Sequence, residues 1–332
     1  MLQPSRILIT DRFDVEAFAH LKGEASLDVH RSETPKPTAE ELAPAEVLVI
    51  RSRTRIDATL LEQSPKLRAI ITATSGFDHI DLAATAKRDV TVMYTPDANE
   101  ASACELTWAL VLACARRIPE AHRAVKSGEW KREALVGREL AGKTYGVIGL
   151  GRIGTRVARI AQAFGMRVMA FDPYQEDSYF AKENIARISL DELLKLSDVV
   201  SVHVPATSET HHLITRNYFE FERKDLIFVN TSRGTVIEEA LLVEALEKQW
   251  IAACGLDVFE REPLPQKSHL MNFPNVVMSP HIGATTTEAF KAASMDAAQK
   301  ALAFVRSSAT SDLLPPQATW AKGGFRRSSG DA

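Results

Sequence analysis

Four short apolar runs in the second half of the chain each end in residues that can do chemistry. Asp198–His203 leads into Val204-Pro205, and Asp225–Asn230 into Thr231-Ser232-Arg233-Gly234. Ile251–Leu256 is followed by Asp257, Glu260, Arg261, Glu262 and Pro263, and Asn275–Met278 by Pro280-His281-Ile282-Gly283. Arg233 has a planar fork that grips a carboxylate through two hydrogen bonds. His281 can exchange a proton near neutrality, and Glu262 can orient its ring. Taken singly, an arginine behind a strand is more often a solvated end, and a lone histidine or glutamate more often a surface group. Gathered at the carboxyl ends of successive strands, where open α/β sheets bind ligands, they form a candidate catalytic rim.

A second motif says what would lie against that rim. Thr144–Ile148 reads as a buried strand and enters Gly149-Leu150-Gly151-Arg152-Ile153-Gly154. Ile153, Val157, Ile160, Ala161 and Phe164 then fall at helical spacing up to Gly165, and a further strand, Arg167–Phe171, ends at Asp172. Gly149 permits a tight bend, Gly151 lets a pyrophosphate approach the backbone, and Gly154 lets the helix lie close on the strand. The helix N-terminus offers unpaired N–H groups to phosphate. Asp172 is placed to accept from the ribose hydroxyls. A lone glycine motif is weak, but with strand, helix, strand and acid in place it predicts a dinucleotide site. Asp172 would repel a 2′-phosphate, which predicts NAD rather than NADP. With a nicotinamide supplied, the rim chemistry is hydride transfer to a 2-oxo acid, with proton delivery to the developing alkoxide.

The elements that must position these groups alternate strand and helix. In the first half, strands are expected at Arg6–Thr10, Glu46–Ile50, Leu67–Thr72 and Asp89–Tyr94, with helical runs at Asp11–Lys22 and Asp78–Lys87. A greasy helix, Asn99–Ile118, is expected to stop at Pro119 and to serve as domain crossover and subunit contact. Helix Ala121–Gly128 and a basic arm, Trp130–Glu139, follow. Helices Glu238–Lys248 and Thr285–Val305 are expected later, and Arg306–Ala332 reads as loosely ordered. This is an α/β pattern of two doubly wound parallel sheets.

The length of 332 residues fits two domains, and 45% hydrophobic with 25% charged residues is ordinary for a globular chain. A net charge of -3 argues against nucleic acid or an anionic membrane as the main partner. The three cysteines, Cys104, Cys114 and Cys254, lack metal-ligand spacing and read as reduced buried thiols, and no metal site is expected. No apolar run reaches the ~18 residues of a membrane helix and no leader-like segment opens the chain, so a cytoplasmic protein is expected.

At Gly149–Gly154, Asn230–Gly234, Gly255–Phe259, Glu262-Pro263 and Pro280–Ala284 the chain resembles the D-isomer-specific 2-hydroxyacid dehydrogenases, in order and spacing. Within that family, Gly128–Arg132, Gly142–Thr144 and Pro280–Thr286 resemble the D-3-phosphoglycerate dehydrogenase branch. The resemblance implies a Rossmann NAD-binding domain (99–284) inserted into a flavodoxin-like substrate domain (1–98 and 285–305), followed by the 306–332 tail; the expected assembly is a homodimer. It implies that Arg233 holds the substrate carboxylate, His281 donates the proton and Glu262 pairs with His281. Gly149, Gly151, Arg152, Ile153, Gly154, Asp172, His203, Val204, Pro205, Thr231, Ser232, Asp257 and Gly283 would line the cofactor. Ser75 and Gly76 would offer backbone N–H groups to substrate, with Arg51 and Arg132 nearby. Thr72 departs from the phosphoglycerate pattern, which has a basic residue before the substrate turn. The chain also ends too early for the serine-sensing domain of longer forms, so no control by serine is expected. Glyoxylate/hydroxypyruvate reductases and D-lactate-type enzymes remain alternatives. From another class, so do the family's NAD-binding transcriptional corepressors, which retain similar residues.

Overall fold

A computed structural model describes residues 4–219 and 225–314. In chain order the elements begin β1 (Ser5–Ile9), α1 (Val15–Lys22), β2 (Leu27–Arg31), α2 (Ala39–Leu42), β3 (Val47–Ile50), α3 (Ala58–Glu62), β4 (Ala69–Thr72), α4 (Leu82–Lys87) and β5 (Thr91–Tyr94). They continue α5 (Glu100–Arg116), α6 (Ile118–Lys126), β6 (Thr144–Ile148), α7 (Arg152–Ala163), β7 (Arg167–Phe171), α8 (Asp177–Glu183), β8 (Ala186–Arg187), α9 (Leu190–Leu196) and β9 (Val199–Val202). The last are β10 (Ile227–Asn230), α10 (Glu239–Glu247), β11 (Ala253–Leu256), β12 (Val276–Met278) and α11 (Thr287–Ser307). Backbone contacts group the described residues up to Asn99 with those from Ala284 onward, and make a second unit of Glu100–Gly283.

The first unit is a parallel sheet of order β2-β1-β3-β4-β5. Its central strands are buried along their whole length, as parallel strands covered on both faces must be. Alternate side chains feed two cores. Ile7, Ile9, Val47 and Val49 meet α1 and the alanine-rich face of α11, while Leu8, Leu48, Ile50 and Ile70 meet Leu42 and Leu61. The second unit is a parallel sheet of order β12-β11-β10-β9-β6-β7-β8. Val147, Val199 and Val229 pack on α5 and α7, while Ile148, Val200 and Phe228 pack on α9 and α10. Strand order reverses at β6, so the crevice above its carboxyl end lies between β7 and β9.

Several boundaries differ from the sequence expectation for identifiable reasons. Helix α1 starts at Val15 because Asp14 caps it, its side chain accepting from Glu16 N and Ala17 N. Pro119 does not end the greasy helix. Arg117, at φ +53, breaks it, and Pro119 sits in the first turn of α6, where its missing N–H costs nothing. Strands β2 and β8 were not expected: both are sheet edges with little continuous apolar character. Of the segment expected to be loosely ordered, Arg306 and Ser307 belong to α11. Residues 312–314 then return to β5, with Tyr94 N donating to Asp312 O and Leu314 N to Val92 O. Residues 315–332, the rest of that segment, lie outside the described residues.

Candidate active site

The glycine turn after β6 has the shape its residue types predict. Gly149 sits at φ +91, and a Cβ there would stand 2.8 Å from the His203 carbonyl oxygen. A Cβ on Gly154 would stand 2.0 Å from the Gly149 carbonyl oxygen, so only glycine lets α7 start this close to the strand. At Gly151 no atom lies within 4 Å of an added Cβ, which leaves the open approach that a pyrophosphate needs at the head of α7. Arg152 and Ile153 form the first turn of α7, Arg152 exposed and Ile153 half-buried. These residues fit a dinucleotide.

Asp172 is woven into the same turn. Its Oδ2 accepts from Leu150 N at 2.8 Å, and its Oδ1 from Tyr174 N at 2.9 Å and Gln175 N at 3.2 Å. A carboxylate has about four acceptor directions, so one remains for a ribose hydroxyl. The expectation that it serves both ribose hydroxyls therefore needs one backbone contact to give way. On the other side of β6, His203, Val204 and Pro205 are half-buried at the end of β9. The His203 Nε2 lies 2.7 Å from Ser201 Oγ, and burial pushes the imidazole down to about 3, so the ring is neutral. Thr231 is tied to the buried Thr107 of α5, Oγ1 to Oγ1 at 2.8 Å.

The second unit brings Arg233, Glu262 and His281 together. His281 Nδ1 lies 2.7 Å from Glu262 Oε2, and Glu262 Oε1 accepts from Phe259 N at 3.0 Å. Burial raises the Glu262 carboxyl, but the hydrogen bonds from His281 and Phe259 N–H and the charges of His281 and Arg233 outweigh it. The net result holds the group below its ordinary value, as a carboxylate at neutral pH. Arg233 is half-buried, with Nη1 donating to the Ser232 carbonyl at 2.7 Å. The loops meet because residue 234 is glycine. A Cβ there would fall 1.9 Å from the Phe259 carbonyl carbon, so any side chain would drive the arginine loop off the Glu262 loop.

Asp257, expected at the cofactor, also anchors the histidine turn. It is 0% exposed, and its carboxylate accepts from Ser279 Oγ at 2.6 Å, Ile282 N at 2.8 Å and Gly283 N at 2.8 Å. Its carbonyl accepts from His281 N at 2.8 Å. These bonds straddle His281, which adopts φ +54, a left-handed conformation uncommon for any residue with a side chain. Asp257 thus fixes the turn from which the imidazole reaches Glu262. Asn230 does the same for the arginine loop: its Nδ2 donates to Arg233 O, and its Oδ1 accepts from Ser232 N and Ser232 Oγ.

The sequence alone assigns no site role to Asn230, Gly234 or Ser279. A polar residue closing an otherwise apolar strand was the available signal for Asn230. Gly234 stands in the arginine motif itself, but its close partner Phe259 lies 25 positions away, and nothing local marks Ser279, whose partner Asp257 lies 22 positions away.

In the first unit, Ser75 and Gly76 occupy the turn after β4. Among the described residues no acceptor faces either N–H, while Ser75 Oγ donates to Asn99 Oδ1 at 2.7 Å. Thr72 is fully buried, its hydroxyl 2.6 Å from Thr74 Oγ1 and 3.0 Å from His79 Nε2, so it shapes this turn from beneath. Arg51 stacks 4.8 Å from the centroid of Phe290, with Arg12 at 5.7 Å from the same ring. Its Nη1 is buried with no hydrogen-bond partner among the described residues. Burial, opposed by Asp11 and reinforced by Arg12, holds its guanidinium below the usual value. Arg132 is exposed at the start of the short turn Glu133–Leu135, and no contact described joins it to the other site residues. Among the described residues no group of three or more His, Cys, Asp or Glu is arranged to hold a metal ion, and no helix is long and apolar enough to cross a membrane.

Residues 108–283 match the family model described as D-isomer specific 2-hydroxyacid dehydrogenase, NAD binding domain. The chain is 41% identical over 289 residues to a D-3-phosphoglycerate dehydrogenase of Methanocaldococcus jannaschii, covering 87% of this chain and 55% of that protein. The chain therefore spans about half the length of that relative. It is 39% identical over 298 residues to a hydroxypyruvate reductase of Thermotoga maritima, covering 89% of this chain and 96% of that one. Its fold is similar to that of a D-lactate dehydrogenase from Aquifex aeolicus solved with NAD and lactic acid. There the TM-score is 0.82 and identity 30%, with 92% of this chain and 96% of that chain covered.

Proposed function

The chain belongs to the D-isomer specific 2-hydroxyacid dehydrogenases, and from that membership we propose that it interconverts a D-2-hydroxy acid and its 2-oxo acid, with NAD as hydride carrier. The observation that carries the reading is the 2.7 Å contact between His281 Nδ1 and Glu262 Oε2, within electrostatic reach of Arg233. In reduction, NADH supplies a hydride to the carbonyl carbon when bound. Arg233 holds the substrate carboxylate in its fork and draws electron density toward the carbonyl oxygen. Because Nδ1 is engaged with Glu262, Nε2 is the nitrogen that gives its proton to that oxygen as negative charge develops. Glu262 stands as counter-charge to the doubly protonated ring, and Asp257 keeps that ring in place. In oxidation His281 takes the proton back.

Gly149, Gly151, Arg152, Ile153, Gly154, Asp172, His203, Val204, Pro205, Thr231, Ser232, Asp257 and Gly283 are the proposed cofactor-site residues. Ser75, Gly76, Arg51 and Arg132 are the proposed substrate contacts. The open N–H groups of the Ser75–Gly76 turn suit a carboxylate. The unpartnered Nη1 of Arg51 favours a substrate with a second anionic group, such as 3-phosphoglycerate. The near full-length match to a hydroxypyruvate reductase favours a small unphosphorylated acid. Comparing kcat/KM for phosphohydroxypyruvate and hydroxypyruvate, on wild type, Arg51→Ala and Arg132→Ala, separates the two. A phosphate advantage that Arg51→Ala removes supports the first, and no advantage supports the second. The proposed setting is the cytoplasm, in keeping with three buried free thiols. The proposed assembly is a homodimer, supported by the exposed apolar side chains Ile118, Val125, Trp130 and Val136.

A further inference from the structure

The crevice above β6 is flanked by the loops that follow β7 and β9, and one side-chain contact spans it. Tyr174 OH, two residues beyond Asp172, donates to the Glu209 carboxylate in the loop after β9. Both ends of this bridge are built. Asp172 Oδ1 takes the N–H groups of Tyr174 and Gln175, and Gln175 Nε2 donates to Leu150 O at 3.0 Å, which ties Tyr174 to the glycine turn. On the far side, Thr210 Oγ1 donates to Pro205 O at 2.5 Å and Thr210 N to Thr207 Oγ1 at 3.2 Å, closing the short loop that presents Glu209. One cation near this rim, Arg187, is already engaged: it donates from Nη1 to Asp177 Oδ1 at 2.6 Å and from Nη2 to the backbone oxygen of Asp172 at 3.4 Å.

We propose that Glu209, presented by Tyr174, is a second determinant of cofactor choice, standing with Asp172 at the ribose end of the dinucleotide site and excluding a 2′-phosphate. The Tyr174 hydroxyl reports both charges. It is pushed up to about 12, first by burial, then by its bond to Glu209 and by the charges of Glu209 and Asp172. One tyrosine side chain therefore lies within electrostatic reach of two carboxylates, with no cation among its perturbing neighbours. A 2′-phosphate, carrying up to two negative charges, would meet both.

The inference rests on the proposed NAD reading and is tested on the full chain by equilibrium binding of NADH and NADPH, followed through nucleotide fluorescence. The variants are Glu209→Gln, Tyr174→Phe, Asp172→Ala and the double variant Tyr174→Phe/Glu209→Gln. Glu209→Gln is expected to narrow the NADPH-to-NADH ratio of dissociation constants roughly tenfold, the size of one unit charge removed from a partly solvated site. Tyr174→Phe should narrow it similarly by releasing the carboxylate, and the double variant should narrow it no further than either alone. If Glu209→Gln leaves the ratio within twofold of wild type while Asp172→Ala shifts it, the assignment to Glu209 is overturned and the NAD reading stands. If wild type binds neither dinucleotide, it is the NAD reading itself that fails.

Discussion

Replacing Glu262 by glutamine tests the proton-donor pair with almost no change of shape. The amide keeps the volume and can still face His281, but it loses the charge that accepts from Nδ1 at 2.7 Å and from Phe259 N at 3.0 Å. A hydrogen bond to a charged group is worth roughly 1.5–3 kcal/mol. The Glu262 side chain is 36% exposed, so solvent screens it and the lower figure applies. A loss of ~1.5 kcal/mol from the transition state lowers kcat about tenfold. His281→Gln, which removes the acid itself, should cost on the order of 10²–10⁴-fold. The pH dependence follows from the sign of the shift. The Glu262 carboxyl is held below its ordinary value in the fold, so the pairing is complete above the unfolded value near ~4.3 and is lost only as pH falls through the lower folded value. Wild-type activity should therefore not fall through Glu262 protonation anywhere near neutrality. The assay is kcat and KM for reduction of a 2-oxo acid with saturating NADH. A Glu262→Gln enzyme within twofold of wild type in kcat would refute the orienting role, and a deficit confined to KM would place Glu262 in ground-state binding instead.

Arg233→Lys should lower kcat/KM by at least tenfold, because lysine keeps the charge and loses the two-pronged grip; steady-state kinetics with the same 2-oxo acid check it. Gly154→Ala places a Cβ 2.0 Å from the Gly149 carbonyl oxygen, so the turn must shift. The expected result is weaker NADH binding by fluorescence titration and a loss of about 1–3 kcal/mol in denaturant unfolding. Ser279→Ala removes one of the bonds that hold Asp257 and the left-handed His281 turn. It should lower kcat by roughly three- to tenfold, the worth of about one hydrogen bond, while NADH affinity changes far less. Equal losses in both would show that Ser279 serves the cofactor.

What was legible from sequence was what local chemistry writes locally. The turn Gly149–Gly154 announces itself because each glycine answers a backbone demand, and Asp172 follows at the tip of the next strand. That Arg233, Glu262 and His281 come together was legible because parallel topology forces strand ends to one edge, so polar residues after apolar runs gather there. The contacts that tune the site were not legible, since they join distant segments. Asp257 reads as a strand-end carboxylate but turns inward to Ser279, Ile282 and Gly283. Thr72 reads as a missing cation, whereas burial against His79 makes that position part of the turn's foundation. Edge strands β2 and β8 escaped because the half-buried β2 carries mixed side chains and the two residues of β8 are both exposed. The break at Arg117 was hidden because a positive φ at arginine has no compositional mark.

The central claim is that this chain moves a hydride between NADH and a 2-oxo acid, with His281 supplying the proton. It is tested most directly by following NADH absorbance with glyoxylate, hydroxypyruvate, pyruvate and phosphohydroxypyruvate, on wild type and His281→Gln, alongside NADH binding to both. The account predicts turnover of at least one acid to the D-2-hydroxy product by wild type, and a loss of about 10²-fold or more in His281→Gln with NADH still bound. NADH binding without turnover of any acid, or full activity in the variant, would contradict it.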